Sequence, residues 1–336
     1  MTILCFGEML LRLTPAPGER LMQSPDLIIR PGGAETNVAV SLARFGADAA
    51  IATVLPDNDL GHAARDEARK HGVDTSRVRF QPGRMGLYFL TPGAVRRPSE
   101  VLYDRAGSAF VRHVEEAFDW PSLLQGVEWL HLSGVTPATG SGGSAAALAA
   151  VRAAASAGVK VSFDGNFRGK MWSEWDGDPP SVLRPIMEGA DLAFADDRDF
   201  ALILGRSFSD PDPAQRRRAA AAAAFDTWPR LQRICCTLRI NDSVADQTLS
   251  AVMITRDGEH HAAPIALSGV VDRVGGGDAF AAGVLHGVAK GWADDEALAF
   301  GLAAAGLKHS VHGDFNLFDE RQVRAAMAAD GFDIRR

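Results

Sequence analysis

Asp272-Arg273-Val274-Gly275-Gly276-Gly277-Asp278-Ala279-Phe280 joins a strand-like apolar run at residues 270–274 to an apolar helical stretch through three glycines and a carboxylate. Glycines lack a Cβ, so their amides can turn inward and approach an anion closely. The helix that follows adds free N–H groups and its positive dipole end at the same point. Asp278 sits where that helix begins, within reach of a hydroxyl held against the anion hole, and can take its proton as the hydroxyl attacks a phosphoryl group. The stretch predicts phosphoryl transfer. A plain glycine turn with an acidic helix start suits the same residues, and both readings stand on this stretch alone. Two other phosphate motifs are excluded. Phe280 occupies the position where the dinucleotide fingerprint needs its last glycine. The nearest approach to a P-loop, Gly165-Asn166-Phe167-Arg168-Gly169-Lys170-Met171, has the wrong glycine spacing and no Ser or Thr after the lysine.

The chain has 336 residues, 46% of them hydrophobic, and a formal charge of −7. That length and composition suit a soluble globular α/β protein, and the negative balance argues against nucleic-acid binding. The basic run Arg216-Arg217-Arg218 leads into an alanine-rich helix and reads as a solvated face. Cys5, Cys235 and Cys236 lie in apolar strand-like runs without C-x-x-C spacing, as core thiols of a reducing compartment do. No basic leader and no apolar run near the ~20 residues needed to cross a bilayer are present, so the expected place is the cytoplasm, away from membranes.

Apolar strand-like runs at 3–7, 50–55, 129–132, 159–163, 192–194, 234–238 and 270–274 alternate with helical stretches at 35–45, 61–71 and 144–157. This rhythm predicts a mostly parallel sheet covered by helices on both faces, closed by three helices after Asp278. Residues 10–30 and 85–105 break the rhythm with polar alternation and Pro/Gly turns, and predict a small β flap over the ligand crevice. A second glycine site, Pro31-Gly32-Gly33-Ala34-Glu35-Thr36-Asn37-Val38-Ala39, places Asn37 one turn inside a helix. Its amide can donate to and accept from a sugar hydroxyl, and it equally suits a capping or solvent-facing role.

Two glycine sites at opposite ends of the chain, with a β flap between, resemble the ribokinase-like (PfkB-type) carbohydrate kinases. Gly32 to Ala39 resembles their N-terminal signature, and Asp272 to Phe280 their C-terminal one, D-T-V-G-A-G-D-x-F. Within that family, four stretches are similar to 2-keto-3-deoxygluconate kinases: Gly86-Leu87-Tyr88, Leu102 through Ala109, Leu130 through Pro137, and Asp164-Gly165-Asn166-Phe167-Arg168. The resemblance implies one α/β domain over residues 1–336. It would be a three-layer fold with a mostly parallel central sheet and a lid from about 10–30 and 85–105. It implies an ATP- and Mg²⁺-dependent kinase, with a monovalent cation as a candidate addition, that phosphorylates the 6-hydroxyl of 2-keto-3-deoxygluconate. A homodimer through the lid is also implied.

Carried over residue by residue, Asp278 would be the base and Gly275, Gly276 and Gly277 the anion hole. Gly33, Asn37, Tyr88, Tyr103, Arg105 and Arg168 would line the acceptor site, with the arginines matching a carboxylate that a neutral sugar lacks. Tyr88 and Tyr103 also suit core aromatics with satisfied hydroxyls. Thr237 and Arg239, with Gly275 and Gly277, would contact the nucleotide, and Asp196 and Asp199 the metal. Three departures stand out. Arg273 and Gly276 replace the usual Thr and Ala. Asp196-Asp197-Arg198-Asp199 stands for N-x-x-E, so its second carboxylate is shorter. Thr237-Leu238-Arg239-Ile240-Asn241-Asp242 lacks the glycines of T-x-G-x-x-G. A kinase of another sugar or nucleoside, and a silent sugar-binding regulator, are the alternatives.

Overall fold

Buried β-branched and aromatic runs supply the strands, and their two-residue alternation feeds two cores. In β1 (Thr2–Phe6), Leu4 and Phe6 pack into one hydrophobic cluster and Ile3 and Cys5 into another, on opposite faces of the sheet. A strand buried on both faces belongs in the middle of a parallel sheet sandwiched by helices. The computed structural model describes residues 2–328 apart from 242 and 244, so Asp242 of the nucleotide stretch lies outside the described residues.

The remaining strands in chain order are β2 (Leu10–Thr14), β3 (Ile28–Gly32), β4 (Asp48–Pro56), β5 (Val78–Gln81), β6 (Gly86–Thr91) and β7 (Glu100–Asp104). They continue with β8 (Val127–Ser133), β9 (Lys160–Asp164), β10 (Leu192–Phe194), β11 (Arg233–Asn241), β12 (Gln247–Thr255) and β13 (Glu259–Leu267). The large sheet runs β13-β12-β11-β10-β9-β8-β1-β4-β5, parallel from β5 to β11 and antiparallel at β12 and β13. From β1 the chain builds outward to β4 on one side and to β8 on the other. The carboxyl ends of β1 and β8 therefore flank the switch point where open α/β sheets bind ligands.

The flap forms as expected, a separate sheet in the order β3-β2-β6-β7. The three closing helices are Gly276–Ala289, Asp294–Lys308 and Glu320–Met327. The arginine run belongs to the helix Pro213–Thr227, where Arg216 pairs with Asp197 and Arg218 with Glu259.

One expected strand is corrected. Residues 270–274 are irregular, and the antiparallel pair β12 and β13 takes the sheet edge instead. Gly269 turns the chain at φ +67°, and the amides then leave the ladder: Val270 donates to the Ala245 carbonyl and Val271 to the His309 carbonyl, both at 2.9 Å. Only its last residue is packed against the lid, Val274 against Leu10, Tyr88 and Leu90, while Val271 is exposed.

Candidate active site

The two glycine motifs, 241 positions apart, meet side chain to side chain: Asn37 Nδ2 donates to Asp278 Oδ2 at 2.6 Å. Asn37 is buried on the first turn of the helix Ala34–Arg44, and its Oδ1 has no partner among the described residues. A buried acceptor without a donor is costly, so Oδ1 is suited to receive a ligand hydroxyl. Gly33 caps this helix at φ +132°, and a Cβ there would lie 2.3 Å from the Glu8 carbonyl oxygen. Only glycine lets the helix start approach the end of β1 so closely.

The C-terminal glycines divide their work more finely than an open loop of three. Gly275 alone has a left-handed backbone, φ +81°, and a Cβ on it would lie 2.0 Å from the Asp314 carbonyl oxygen. Gly276 and Gly277 are already helical. Gly276 packs on the His309 ring, where a Cβ would come within 2.5 Å of Cε1, whereas a Cβ on Gly277 meets no heavy atom within 4 Å. The Gly276 amide donates weakly to the Arg273 carbonyl at 3.3 Å. The amides of Gly275, Gly277 and Asp278 have no hydrogen-bond partner among the described residues, which leaves donors at the positive helix end for an anion.

Asp278 lies on the first turn, partly open to the cleft. Burial pushes its carboxyl up to about 7; the Asn37 hydrogen bond and Arg168 oppose this, and Asp314 and Glu35 reinforce it. Asp164 lies at the end of β9, and nothing in its local sequence marks it as part of this cluster. Its carboxyl is pushed up to about 8 by burial, then by Asp278 and Asp199. Asp199 is pushed up to about 6, again mainly by burial. A Cβ on Gly165 would lie 3.2 Å from the Asp199 carboxyl carbon, so these acids crowd one corner of the cleft.

Arg168 is exposed at the start of the helix Gly169–Trp172 and has no ion pair among the described residues, yet its charge lowers both Asp164 and Asp278. Arg105 is placed otherwise. It is buried and forked onto Glu8, with Nε 2.8 Å from Oε2 and Nη2 on the same oxygen, while Ser108 holds Glu8 Oε1. Only its Nη1 edge, 3.5 Å from Met171 Sδ, faces away from the carboxylate. Tyr88 is buried with its hydroxyl donated to Asp314, and exposed Tyr103 stacks near Arg105 at 5.9 Å.

Asp196 and Asp199 first serve the helix Asp197–Leu204. They form a reciprocal cap, and Asp196 is additionally paired with Arg198. Among the described residues no three His, Cys, Asp or Glu side chains are grouped to hold a metal. Asp164 and Asp199 each keep one oxygen uncommitted among these residues: Asp164 Oδ1 accepts the Asn166 amide at 3.1 Å, and Asp199 Oδ2 the Asp196 amide at 2.9 Å. Mg²⁺ often keeps several waters and takes one or two carboxylates, so these two fit it better than Asp196 does.

Thr237 and Arg239 sit on β11. Arg239 has no ion pair among the described residues, and its pKa is lowered by burial and then by Arg273. His309 completes this basic corner. Burial, with Arg239, Lys308 and Arg273, pushes it down to about 4 against a hydrogen bond to Ala305. Its Nδ1 lies 2.6 Å from the Ala305 carbonyl, and its buried Nε2, beside Gly276, has no partner among the described residues.

Sequence reasoning missed the group behind this site. Arg12 of β2 bridges Asp272 at 2.7 Å and Asp314 at 2.9 Å, tying the lid to both ends of the glycine loop's support. A lone arginine inside a strand-like run was the only signal for it. A cavity of about 670 Å³ opens on the lid side of this bridge, between Pro92 or Val101 and Arg273, and is not lined by Asp278.

Among known proteins, residues 2–238 and 240–320 match the pfkB family carbohydrate kinase description. The 2-dehydro-3-deoxygalactonokinase of Haloferax volcanii is 30% identical over 336 residues, 99% of each chain. The crystal structure of 2-dehydro-3-deoxygluconokinase from Thermotoga maritima superposes with a TM-score of 0.91 at 35% identity, covering 98% of this chain and 100% of that one. A PfkB family carbohydrate kinase from Listeria grayi superposes at 0.90, also at 35% identity and over the same shares.

Proposed function

The chain belongs to the pfkB family of carbohydrate kinases, and on that premise we propose that it transfers the γ-phosphoryl group of ATP to the 6-hydroxyl of 2-keto-3-deoxygluconate. Its fold is ribokinase-like, and the small sheet is joined through Arg12 to Asp272 and Asp314 beside the glycine loop. The observation that carries the acceptor class is Arg168: an exposed cation without an ion pair among the described residues, whose field reaches both Asp164 and Asp278. A sugar acid supplies the carboxylate for it, with the Nη1 edge of Arg105 as a second donor.

In this reading Asn37 fixes the acceptor and the Asp278 carboxylate in one orientation. The acceptor oxygen attacks the γ-phosphorus, its proton passes to Asp278, and the bond to the ADP oxygen breaks. A base near pH 7 is suited to this, since it is substantially deprotonated and still basic enough to take the proton. The amides of Gly275, Gly277 and Asp278 stabilise charge on the transferring group. Thr237, Arg239 and His309 flank the nucleotide. Asp164 and Asp199 would hold Mg²⁺, which when bound supplies charge neutralisation on the phosphates.

Exposed apolar side chains on both edge strands of the lid, Ile29 on β3 and Leu102 on β7, support self-association through the lid. The three unpaired cysteines and ATP as donor are in keeping with a cytoplasmic enzyme. Among the described residues no helix is long and apolar enough to cross a membrane.

The test is coupled ADP release over 2-keto-3-deoxygluconate, its C4 epimer 2-keto-3-deoxygalactonate, fructose, ribose and a nucleoside, with the product's phosphate placed by NMR. The keto acids should exceed the neutral sugars in kcat/KM by about 10² or more, because a neutral sugar leaves the arginine pair unmatched. Equal turnover of fructose, or a preference for the galactonate epimer, would overturn the acceptor assignment.

A further inference from the structure

Lys308, the last residue of the helix Asp294–Lys308, is 0% exposed. Lysines are almost never fully buried unless paired, and taking an ammonium out of water costs several kcal/mol. Lys308 forms no direct ion pair among the described residues. Its Nζ instead donates to two backbone carbonyls, Asp272 at 3.1 Å and Val311 at 3.5 Å. Burial lowers its pKa, and the fields of Asp272 and Asp314 oppose that.

The grip falls on the segment that sets the anion hole. Asp272 is fixed from every side: its amide donates to the His309 carbonyl at 3.3 Å, and its Oδ1 accepts the Val274 amide at 3.1 Å. Its Oδ2 accepts Arg12 at 2.7 Å and the Gly313 amide at 3.0 Å. Its carbonyl, three residues before Gly275, is held by Lys308. Gly275 in turn packs against the backbone of Asp314. The buried group is balanced in charge, Arg12 and Lys308 against Asp272 and Asp314. Without Lys308 the buried Asp272 carbonyl and the half-buried Val311 carbonyl would lose their donor, and the group would carry an extra negative charge within the field of Asp278.

Neutral carbonyl oxygens with carboxylates one shell out are also what a bare monovalent cation takes. We propose that the tethered ammonium of Lys308 acts as a built-in monovalent cation that positions the glycine loop, so that turnover needs no free K⁺ or NH₄⁺. This rests on the kinase reading only for its activity readout, and a melting readout without substrate keeps the two separable.

Wild type and Lys308→Ala are compared at constant ionic strength in tetramethylammonium chloride, KCl and NH₄Cl, by turnover, by its pH profile and by thermal melting. Wild type should be indifferent to the cation in both turnover and melting. The variant should lose about tenfold or more in kcat, the order for a lost hydrogen bond to a charged group. KCl or NH₄Cl, and not tetramethylammonium, should restore part of that and raise the variant's melting temperature. In tetramethylammonium its pH profile should move to higher pH. A wild type that requires K⁺ overturns the proposal, as does a folded variant whose melting and turnover ignore the cation. If the variant does not fold, the wild-type series decides by itself.

Discussion

Replacing Asp278 by Asn should stabilise the protein while it removes the reaction, because the two effects have one cause. The folded chain holds this carboxyl at about 7 against an ordinary 3.8, a rise due first to burial and then to Asp314 and Glu35. Between roughly pH 4 and pH 7 the folded state keeps a proton that the unfolded state has released. Wild-type stability therefore falls as pH rises through that window. Three pKa units correspond to roughly 4 kcal/mol at full burial. Asp278 is partly open to the cleft, and solvent screening reduces the figure to about 1–2 kcal/mol. Asn carries no charge at any pH and can still accept the Asn37 hydrogen bond. The variant should thus melt roughly 1–3 °C above wild type at pH 8 and close to it at pH 4. Its kcat should fall by at least the ~10² that a positioned base contributes. Thermal melts from pH 4 to 8 and coupled ADP release read both quantities. A variant no more stable at pH 8, with turnover within about tenfold of wild type, would refute the reasoning.

Other perturbations separate the site's parts. The kcat/KM of wild type should rise with pH through about 7, a limb belonging to the coupled Asp278 and Asp164 pair, and Arg168→Ala should move that limb upward because Arg168 lowers both carboxyls. Arg168→Ala should also weaken keto-acid binding by about 1.5–3 kcal/mol with little change in melting, whereas Arg105→Ala should cost about 3–5 kcal/mol of stability by leaving Glu8 buried and unpaired. Gly277→Val has room for its side chain and should lose turnover far more than stability, while Gly276→Val drives into the His309 ring and should lose both. Equal melting losses for the two glycine variants would remove the anion-hole assignment from Gly277.

Local pattern carried the sequence reading where local pattern decides structure. The buried strands, the glycine at φ +132° before Asn37 and the polar alternation of the lid are all periodic or conformational signals, and they were legible. The failures came where long-range contacts override the pattern. Residues 270–274 look like a strand because they are apolar, yet their amides bond to Ala245 and His309 rather than to a neighbouring strand. Arg105 looked like a free carboxylate reader, and Glu8, 97 positions earlier, had already claimed most of its guanidinium. Nothing within a short window could reveal that Arg12 answers Asp272 and Asp314, which lie 260 and 302 positions away.

The same residue type thereby acquires two meanings. Asp272 and Asp314 are deeply buried, but each is bonded to Arg12; Asp272 is held below the ordinary carboxylate range because Lys308, Arg12 and the Gly313 amide outweigh its burial, whereas burial raises Asp314 against the pull of Arg12 and Tyr88. Asp164, Asp199 and Asp278 are all raised by burial, Asp278 and Asp199 raise Asp164 further, and Arg168 is the cation that reaches Asp164 and Asp278. The first pair is spent holding the lid and the glycine loop together. The second group is left under-compensated at the carboxyl ends of the strands, where a proton or a cation lowers its energy. That imbalance is what a site for proton and phosphoryl transfer requires, and it is why the stability lost at Asp278 should return when the carboxylate is removed.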